Sequence, residues 1–434
     1  MLSRELYDNY TAILREELVP AMGCTEPIAI AYAAAKARAV LNEELTGLHV
    51  SCSGNIIKNV KGVIVPNSGD QKGIEAAAIL GAVGGDESKA LEVIANADDK
   101  ARSLTRKLVA QKFCDVSLAE DVPNLFIEVQ AMGHSHKALV RIENSHTKIT
   151  LIKRDENILF ENSDNDTQEI KQESHADKNL MKLCTILDYA NELDVNDVKE
   201  ILGRQIEYNS RISQEGLDNK WGARVGKTIL ENWGSDVRAC ACARAAAGSD
   251  ARMSGCPLPV IINSGSGNQG ITVTMPVIQY SESWHLSRDK LYRALAVSNL
   301  VSIYIKHYIG SLSAFCGAVS AASGAGAAIT YMAGGDYASV GRTITNTLAN
   351  VGGIVCDGAK PSCAAKIASS VHAAILAHYM SISDKEFKGG EGFVEDDPEE
   401  TIKNMGYIGK IGMKETDKEI LNVMINRVDV DSCL

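Results

Sequence analysis

The spacing of apolar residues changes along the chain and predicts where helices and strands lie. Apolar positions recur with helical spacing over residues 3–19, and a second helix is predicted to begin near Pro27 and to run through IAIAYAAAKARAVL. Residues 73–84 and 87–111 also have helical patterns. By contrast, the segment 48–67, which contains HVSCSGNIIKN and GVIVPNSG, is predicted to form a strand, a turn and a second strand.

The pattern then switches to alternation with period two over residues 113–154, which predicts an antiparallel β meander. The acidic, polar segment 161–176 is predicted to be a surface linker and the domain boundary. Beyond it helical patterns dominate, over residues 179–192, 195–208, 213–233, 236–247, 288–309, 311–333, 336–350, 363–380 and 414–428. The predicted fold class is therefore α+β, with an N-terminal α/β domain (1–165) that contains the meander and packs on a mostly helical C-terminal domain (166–434).

Composition narrows the classes of protein to which this sequence can belong. The chain has 434 residues, enough for a large core and two domains, and a net charge of −11. This acidic balance disfavours nucleic-acid or anionic-membrane partners, which would select a basic face. No long apolar run suits a membrane span, and the charged start lacks the apolar segment of a signal peptide. We therefore expect a cytoplasmic protein whose eleven cysteines do not form a disulfide framework.

Three cysteines near the C-terminus are candidates for metal chemistry. Cys316 lies in SAFCGAVSAASGAGAAI, and Cys356 and Cys363 lie in NVGGIVCDGAKPSCAAKIASS, among small residues. Thiolates are soft ligands for iron–sulfur clusters, zinc or Cu(I), and glycines let the backbone close around a bulky group. Three ligands without a fourth nearby leave one metal position open, as a Lewis-acid catalyst requires. The alternative is that each thiol is an unreactive residue of the core.

A fourth cysteine lies at the start of a predicted helix, in the segment GCTEP. The positive end of a helix dipole favours the thiolate, so Cys24 can serve there as a base, a nucleophile or a metal ligand. Thr25 and Glu26 follow it directly. The alternative is a buried cysteine at a helix end that Thr25 caps.

Three polar turns rich in glycine are candidates for holding the carboxylate of a small ligand. The last of them, NSGSGNQG, enters an apolar helix, but it lacks the Gly-Lys-Ser/Thr of a P-loop and the strand–helix context of a dinucleotide motif. Ordinary turn chemistry is the alternative for each. The candidate substrate-binding residues are Thr25, Glu26, Ser53, Asn55, Lys58, Asn67, Ser266, Asn268 and Gln269.

Taken together, the motifs GCTEPIAIAYAAAKA, SGNIIKNVKGVIVPNSG, SGSGNQGITVTMPV and CDGAKPSCAAKIASS resemble the L-cysteine desulfidase family. This family is a branch of the iron–sulfur L-serine dehydratase superfamily. The resemblance covers about residues 20–410 and implies a lyase that needs no pyridoxal phosphate. It further implies a [4Fe–4S] cluster with one open iron, held by Cys316, Cys356 and Cys363. The last two cysteines are seven positions apart, closer than in the dehydratases, so Cys24 competes for the third ligand position.

The activity implied by the resemblance is β-elimination of sulfide from L-cysteine, giving pyruvate and ammonia. Cys24 is the expected base, because a positioned base speeds removal of the α-proton. The C-terminal domain would then be the catalytic, cluster-binding one, and the N-terminal domain would carry substrate-binding turns. One alternative is an L-serine dehydratase with the same cluster, and another is a regulatory protein that binds a metal or cluster without catalysis. A small amino acid is the expected partner, and a homodimer is left open.

Overall fold

The computed structural model describes residues 2–162, 176–310 and 312–428, which form an α+β fold as predicted. The helices are α1 (Arg4–Glu17), α2 (Thr25–Leu41), α3 (Gly54–Val60), α4 (Gly73–Gly84), α5 (Asp99–Ala110), α6 (Leu183–Glu192), α7 (Lys199–Asp218), α8 (Val225–Trp233), α9 (Val237–Met253), α10 (Gly267–Ser283), α11 (Arg288–Ile309), α12 (Gly317–Met332), α13 (Tyr337–Val351), α14 (Cys363–Ser381), α15 (Pro398–Tyr407) and α16 (Lys414–Met424). The strands are β1 (Pro20–Met22), β2 (Gly47–Cys52), β3 (Cys114–Leu118), β4 (Phe126–Met132), β5 (Lys137–Glu143), β6 (Ile149–Arg154), β7 (Asn157–Glu161) and β8 (Pro259–Ile261).

Six strands form one mixed sheet in the order β3-β2-β4-β5-β6-β7. Strands β4 to β7 form an antiparallel meander. The meander predicted for residues 113–154 is therefore confirmed for β4 to β6 but wrong for β3, which pairs parallel with β2 because β2 lies between it and β4, while β7 lies beyond the predicted segment. Val129 of β4 pairs with Val50 of β2 and with Val140 of β5. All three valines are buried, because alternate residues of each strand face the helices. Helix α2 packs on β4 and β5, and α4 packs on α2. The start of α2 is thereby fixed against the sheet.

The predicted second strand within residues 48–67 is wrong. Strand β2 accounts for the first half of the segment, but the residues after it form α3 and a series of turns. Both edges of β2 are already occupied, by β3 on one side and β4 on the other, so no edge is left for another strand. Val63 and Val65 are buried nonetheless, which explains their apolar character without a strand.

The C-terminal part is a set of closely packed helices, as predicted. Small residues allow this: a side chain at Gly324 of α12 would overlap the carbonyl of Ser298 in α11. Two boundaries differ from the prediction. Residues 195–208 and 213–233 are predicted as two helices, whereas α7 runs continuously through their boundary and α8 follows as a separate helix. The single helix predicted over residues 87–111 is likewise divided, into a short 3₁₀ helix and α5.

Two contacts bring the start of the chain to the C-terminal helices. Strand β1 pairs antiparallel with β8, with Pro20 opposite Ile261, and α3 packs on α16. The start of α2 therefore lies beside the start of α10. The predicted linker falls largely outside the described residues, so the division into residues 1–165 and 166–434 stays a prediction. Among the described residues, no helix has the length and apolar character needed to cross a membrane.

Candidate active site

A cavity of about 740 Å³ opens where the starts of α2, α10, α12 and α14 meet. Its walls also include parts of α3, the ends of α9 and α11, and the turn between β5 and β6. Several helices thus present their N-terminal ends to one space, and the free N–H groups of helix N-termini favour anions. This is the arrangement expected of a site for a small, negatively charged ligand.

Cys24 and Glu26 form a buried pair on the cavity wall. Cys24 is the N-cap residue of α2, and its thiol donates a hydrogen bond to Glu26 Oε2 at 2.9 Å. Thr25 Oγ1 donates to the same oxygen at 3.1 Å and to the Gly265 carbonyl at 2.9 Å, so Thr25 links α2 to the turn before α10 rather than capping its own helix. Asn59 Nδ2 donates to Glu26 Oε1 at 2.9 Å.

The prediction that the helix N-terminus lowers the pKa of Cys24 is wrong. Burial raises the pKa of this thiol well above its usual value, and the negative charge of Glu26 raises it further. Burial also disfavours the charged form of Glu26. However, His146, the Cys24 hydrogen bond and Arg252 together outweigh that effect and lower the pKa of the carboxyl. The pair therefore holds its proton on sulfur and its negative charge on Glu26.

The three C-terminal cysteines all line this cavity. Cys316 precedes α12 and Cys356 lies across from it, because Phe315 and Val355 form an isolated antiparallel bridge. Cys363 is the first residue of α14 and packs in a small apolar cluster with Cys24. Burial raises the pKa of Cys316 to about 12, with a further contribution from the neighbouring Cys356 thiolate. The thiols are thus close enough to influence one another's charge.

Three turns are predicted to bind the substrate. Those at residues 53–58 and 264–270 contribute to the cavity wall, whereas the turn at residues 67–69 does not. Asn55, Lys58, Ser266, Asn268 and Gln269 line the space with Thr25 and Glu26. Among the described residues, Asn55 Oδ1 and Gln269 Oε1 are buried without a hydrogen-bond partner. Since buried polar atoms are nearly always paired, these two acceptors favour a ligand that donates hydrogen bonds to them.

Asn67 and Ser53 do not line the cavity, contrary to prediction. Asn67 instead stabilises its own loop. Its Nδ2 donates a hydrogen bond to the carbonyl of Ile94 at 2.9 Å, and its Oδ1 accepts one from Arg102. Its backbone is left-handed, with φ of 56°, as expected for a turn asparagine. Ser53 Oγ donates to the Asn124 carbonyl at 2.7 Å. Both side chains are thus already engaged in hydrogen bonds outside the cavity.

Lys58 lines the cavity but is already paired. Its ammonium makes an ion pair with Asp417 of α16 and donates to the Cys356 carbonyl at 3.4 Å. The side chain is almost fully buried, so it cannot leave Asp417 without exposing an uncompensated charge to a low-dielectric interior. Its position favours holding the Cys356 loop against α3 and α16 over direct contact with a substrate.

The sequence did not single out several polar residues of the cavity, among them Asn59, His146, Arg252 and Lys306. His146 lies in the β5–β6 turn, with Nε2 4.0 Å from Glu26 Oε1 and without a hydrogen-bond partner among the described residues. Burial lowers the pKa of its imidazole, despite the opposing charge of Glu26. Burial also lowers the pKa of Lys306, to about 8, against the attraction of the Cys356 and Cys316 thiolates. Asn59 stands in the motif SGNIIKNVKGVIVPNSG, which could have indicated it, whereas nothing in the sequence around Arg252 and Lys306 points to a site.

Comparison with known proteins identifies relatives over nearly the whole chain. The sequence profile described as "Serine dehydratase alpha chain" matches residues 76–422. The chain belongs to this family. A UPF0597 protein of Lachnoclostridium phytofermentans is 50% identical over 97% of this chain and 100% of its own length. UPF0597 proteins of Desulfitobacterium hafniense and Treponema denticola are 48% and 44% identical, over 97% and 98% of this chain and 97% and 99% of their own lengths.

Membership of the serine dehydratase alpha-chain family confirms the superfamily to which the motifs point. The matched range includes Cys316, Cys356 and Cys363, whereas Cys24 and Glu26 precede it. The family suggests a lyase, and more specifically a hydro-lyase.

The residues of the cavity fit an iron–sulfur cluster of that family. Within residues 2–162, 176–310 and 312–428, no three or more histidine, cysteine, aspartate or glutamate side chains are arranged to hold a single metal ion. A cluster, however, spreads its ligands over several irons, and it suits three thiols that share a cavity. Lys306 and Lys366 both interact with the Cys316 sulfur electrostatically, so cations are available to stabilise thiolates there. The donor set thus matches a three-cysteine site.

Proposed function

We propose that this chain is a pyridoxal-phosphate-independent lyase that β-eliminates sulfide from L-cysteine, giving pyruvate, ammonia and sulfide. The observation that carries the proposal is the shared cavity, in which three cysteine thiols face the polar starts of α2 and α10. Such a site can combine metal chemistry with recognition of a small polar molecule. Membership of the serine dehydratase alpha-chain family supports the lyase class.

Cys316, Cys356 and Cys363 would hold a [4Fe–4S] cluster, and Cys24 is the competing candidate for the third position. Cys24 packs beside Cys363, so either sulfur is near the same part of the cavity. Such a cluster, when bound, supplies a Lewis-acidic iron with an open position for the β-substituent. The chain's own residues must then bind the amino acid, fix its orientation and accept the α-proton.

We propose two routes for the proton. In the first, Cys24 passes its proton to Glu26 Oε2, which is 2.9 Å away, and the resulting thiolate accepts the α-proton. In the second, the neutral imidazole of His146 accepts the α-proton at Nε2, which has no partner among the described residues. The pKa directions favour the second route, because burial keeps Cys24 protonated and His146 neutral.

The electron pair of the broken Cα–H bond forms the Cα–Cβ double bond as the Cβ–S bond breaks. Sulfur leaves with the electrons of that bond as sulfide, and aminoacrylate remains. Tautomerisation and addition of water then give pyruvate and ammonia. The buried acceptors Asn55 Oδ1 and Gln269 Oε1, with the Glu26 carboxylate, are the proposed partners of the substrate ammonium group.

The test is anaerobic reconstitution with iron and sulfide, followed by turnover of small amino acids without added pyridoxal phosphate. We expect sulfide and pyruvate in equal amounts from L-cysteine, dependent on bound iron. Cys316→Ala should abolish both iron binding and turnover, whereas Cys256→Ala, at a buried cysteine outside the cavity, should keep both. A fully reconstituted protein that leaves L-cysteine unchanged would contradict the proposal.

L-serine dehydration is the second candidate function, because the matching family is named for serine dehydratase. The same residues would serve, with hydroxide leaving in place of sulfide. The ratio of kcat/KM for L-cysteine to kcat/KM for L-serine decides between them. A protein that binds iron but turns over neither amino acid would favour the regulatory alternative.

A further inference from the structure

Arg252 is a buried cation on the cavity wall that makes no direct ion pair with a carboxylate of the described residues. It lies in the last turn of α9 and is 3% exposed. Nη1 donates to Asn268 Oδ1 at 3.1 Å, while Nε is buried without an acceptor among the described residues. No carboxylate of the described chain comes within 4.0 Å of the guanidinium, although Cys24 and Glu26 lie near enough to favour its charged form. A buried guanidinium remains charged, and the Glu26 carboxylate compensates it only from a distance, so the site favours a further anion in direct contact with Arg252.

Asn268 is oriented by this arginine. Because the guanidinium can only donate, it holds the amide oxygen of Asn268 and leaves the amide Nδ2 free to donate elsewhere. Asn268 is the second residue of α10, where backbone N–H groups are also free. Its neighbour Gly267 lies against the Arg252 side chain, and a Cβ at Gly267 would overlap the guanidinium. The turn is therefore shaped around the arginine.

We propose that Arg252 and Asn268 Nδ2 bind the α-carboxylate of the substrate, so that the cavity selects amino acids whose α-carboxylate is free. A guanidinium presents parallel N–H groups that match the two oxygens of a carboxylate. The start of α10 adds the positive end of a helix dipole to the same anion. This inference rests on the proposed function and assigns the part of the site that recognises the substrate backbone.

Fixing the carboxylate at Arg252 also orients the rest of the amino acid. Arg252 interacts electrostatically with Cys24, Glu26 and Cys363. The α-carbon would then lie near the Cys24–Glu26 pair, where the proposed proton acceptors are, and the β-substituent would be free to extend toward the cysteines. An amide or ester at the carboxyl group would lose the charge that the guanidinium needs.

The experiment measures binding of L-alanine and L-alaninamide to the anaerobically reconstituted protein by calorimetry. L-alanine has the carboxylate and ammonium of a substrate but no leaving group, so it reports on binding without turnover. We expect the wild type to bind L-alaninamide on the order of tenfold to a hundredfold more weakly than L-alanine. Arg252→Gln should bind L-alanine more weakly by a similar factor and lose the distinction between the two ligands. Arg244→Gln, the same change two turns earlier on α9 where the side chain pairs with Glu282, should bind like the wild type.

Two outcomes would overturn the inference: equal binding of the two ligands by the wild type, or an Arg252→Gln variant that still distinguishes them. The first needs no variant, so it applies even where Arg252→Gln fails to fold. Arg252→Lys adds a check, since an ammonium keeps the charge but not the paired geometry and should recover only part of the affinity. If the wild type distinguishes the ligands but turns over neither cysteine nor serine, the lyase proposal fails and the carboxylate site stands.

Discussion

Replacing Asp250 with asparagine should stabilise the folded protein at neutral pH. Asp250 is fully buried in α9, where Oδ2 accepts the Gly226 N–H at 3.0 Å and Oδ1 has no partner among the described residues. Burial raises the pKa of this carboxyl from 3.8 to about 6, although backbone N–H groups of Gly226 and Val225 favour the charged form. At neutral pH the folded protein must therefore carry a buried charge that is only partly compensated.

The magnitude follows from the difference between the two pKa values. A tenfold change in proton affinity corresponds to about 1.4 kcal/mol, so charging Asp250 costs the folded state about 3 kcal/mol. Because the folded state holds this proton more tightly than the unfolded state, its stability falls as the pH rises from about 4 to about 6 and stays reduced above that. Asparagine keeps an oxygen for the Gly226 N–H but has no charge to bury.

The assay is urea unfolding of both proteins between pH 4 and pH 8. We expect the free energies of unfolding to be similar near pH 4 and to differ by about 3 kcal/mol at pH 8 in favour of the variant. Asp188→Asn, at an exposed aspartate of α6, is the matched control and should change little at any pH. An Asp250→Asn protein that is less stable than the wild type at pH 8 would refute the reasoning, because the carboxylate would then have a partner that compensates its charge.

Three further predictions concern packing, a buried ion pair and Cys24. Gly81→Ala should destabilise the protein by about 1–3 kcal/mol in urea unfolding, since its Cβ would overlap the backbone of α2; Gly353→Ala, in open space, should not. Asp417→Asn should cost about 3–5 kcal/mol and Lys58→Met less, because the first leaves the Lys58 ammonium, with a side chain 2% exposed, without its partner, whereas the second leaves the Asp417 carboxylate, with a side chain 14% exposed. Cys24→Ser should keep the bound iron, measured by absorbance, and most of the turnover, because the pKa directions favour His146 as the proton acceptor. Loss of turnover with the iron retained would instead make Cys24 the base, and loss of iron would make it a ligand.

The sequence predicts best those helices and strands whose pattern of apolar residues depends only on residues close by in the chain. Helices α1, α2, α4 and α11 follow their predicted segments closely, and β4 to β6 form the predicted meander, whereas β3 from the same segment pairs parallel with β2. The failed strand after β2 shows the limit of such patterns. Alternating valines at Val63 and Val65 indicate burial, but a strand also needs a free sheet edge, and β3 and β4 have taken both edges of β2.

The residues of the candidate site likewise fall into those that the sequence indicates and those that only the structure reveals. Cys24, Cys316, Cys356 and Cys363 stand in distinctive segments, and all four line the cavity. Arg252 is different, because it is one of several arginines of an alanine-rich helix, and only the folded chain shows that its Nε is buried without an acceptor among the described residues. The pKa of Cys24 failed as a prediction for a related reason. The helix dipole is visible in the sequence, but complete burial and the adjacent carboxylate outweigh it.

The pairing of β1 with β8 has a consequence for how the protein is made. This short ribbon joins segments separated widely along the chain, and the Thr25–Gly265 hydrogen bond beside it spans 240 residues. During translation, Cys24 and Glu26 therefore leave the ribosome long before the cysteines at the starts of α12 and α14 have been synthesised. Contacts between such distant segments form slowly, because the long loop between them must first close. The cavity is accordingly complete only in a finished polypeptide, and a truncated product would expose the Cys24 side of the cavity without Cys316, Cys356 and Cys363.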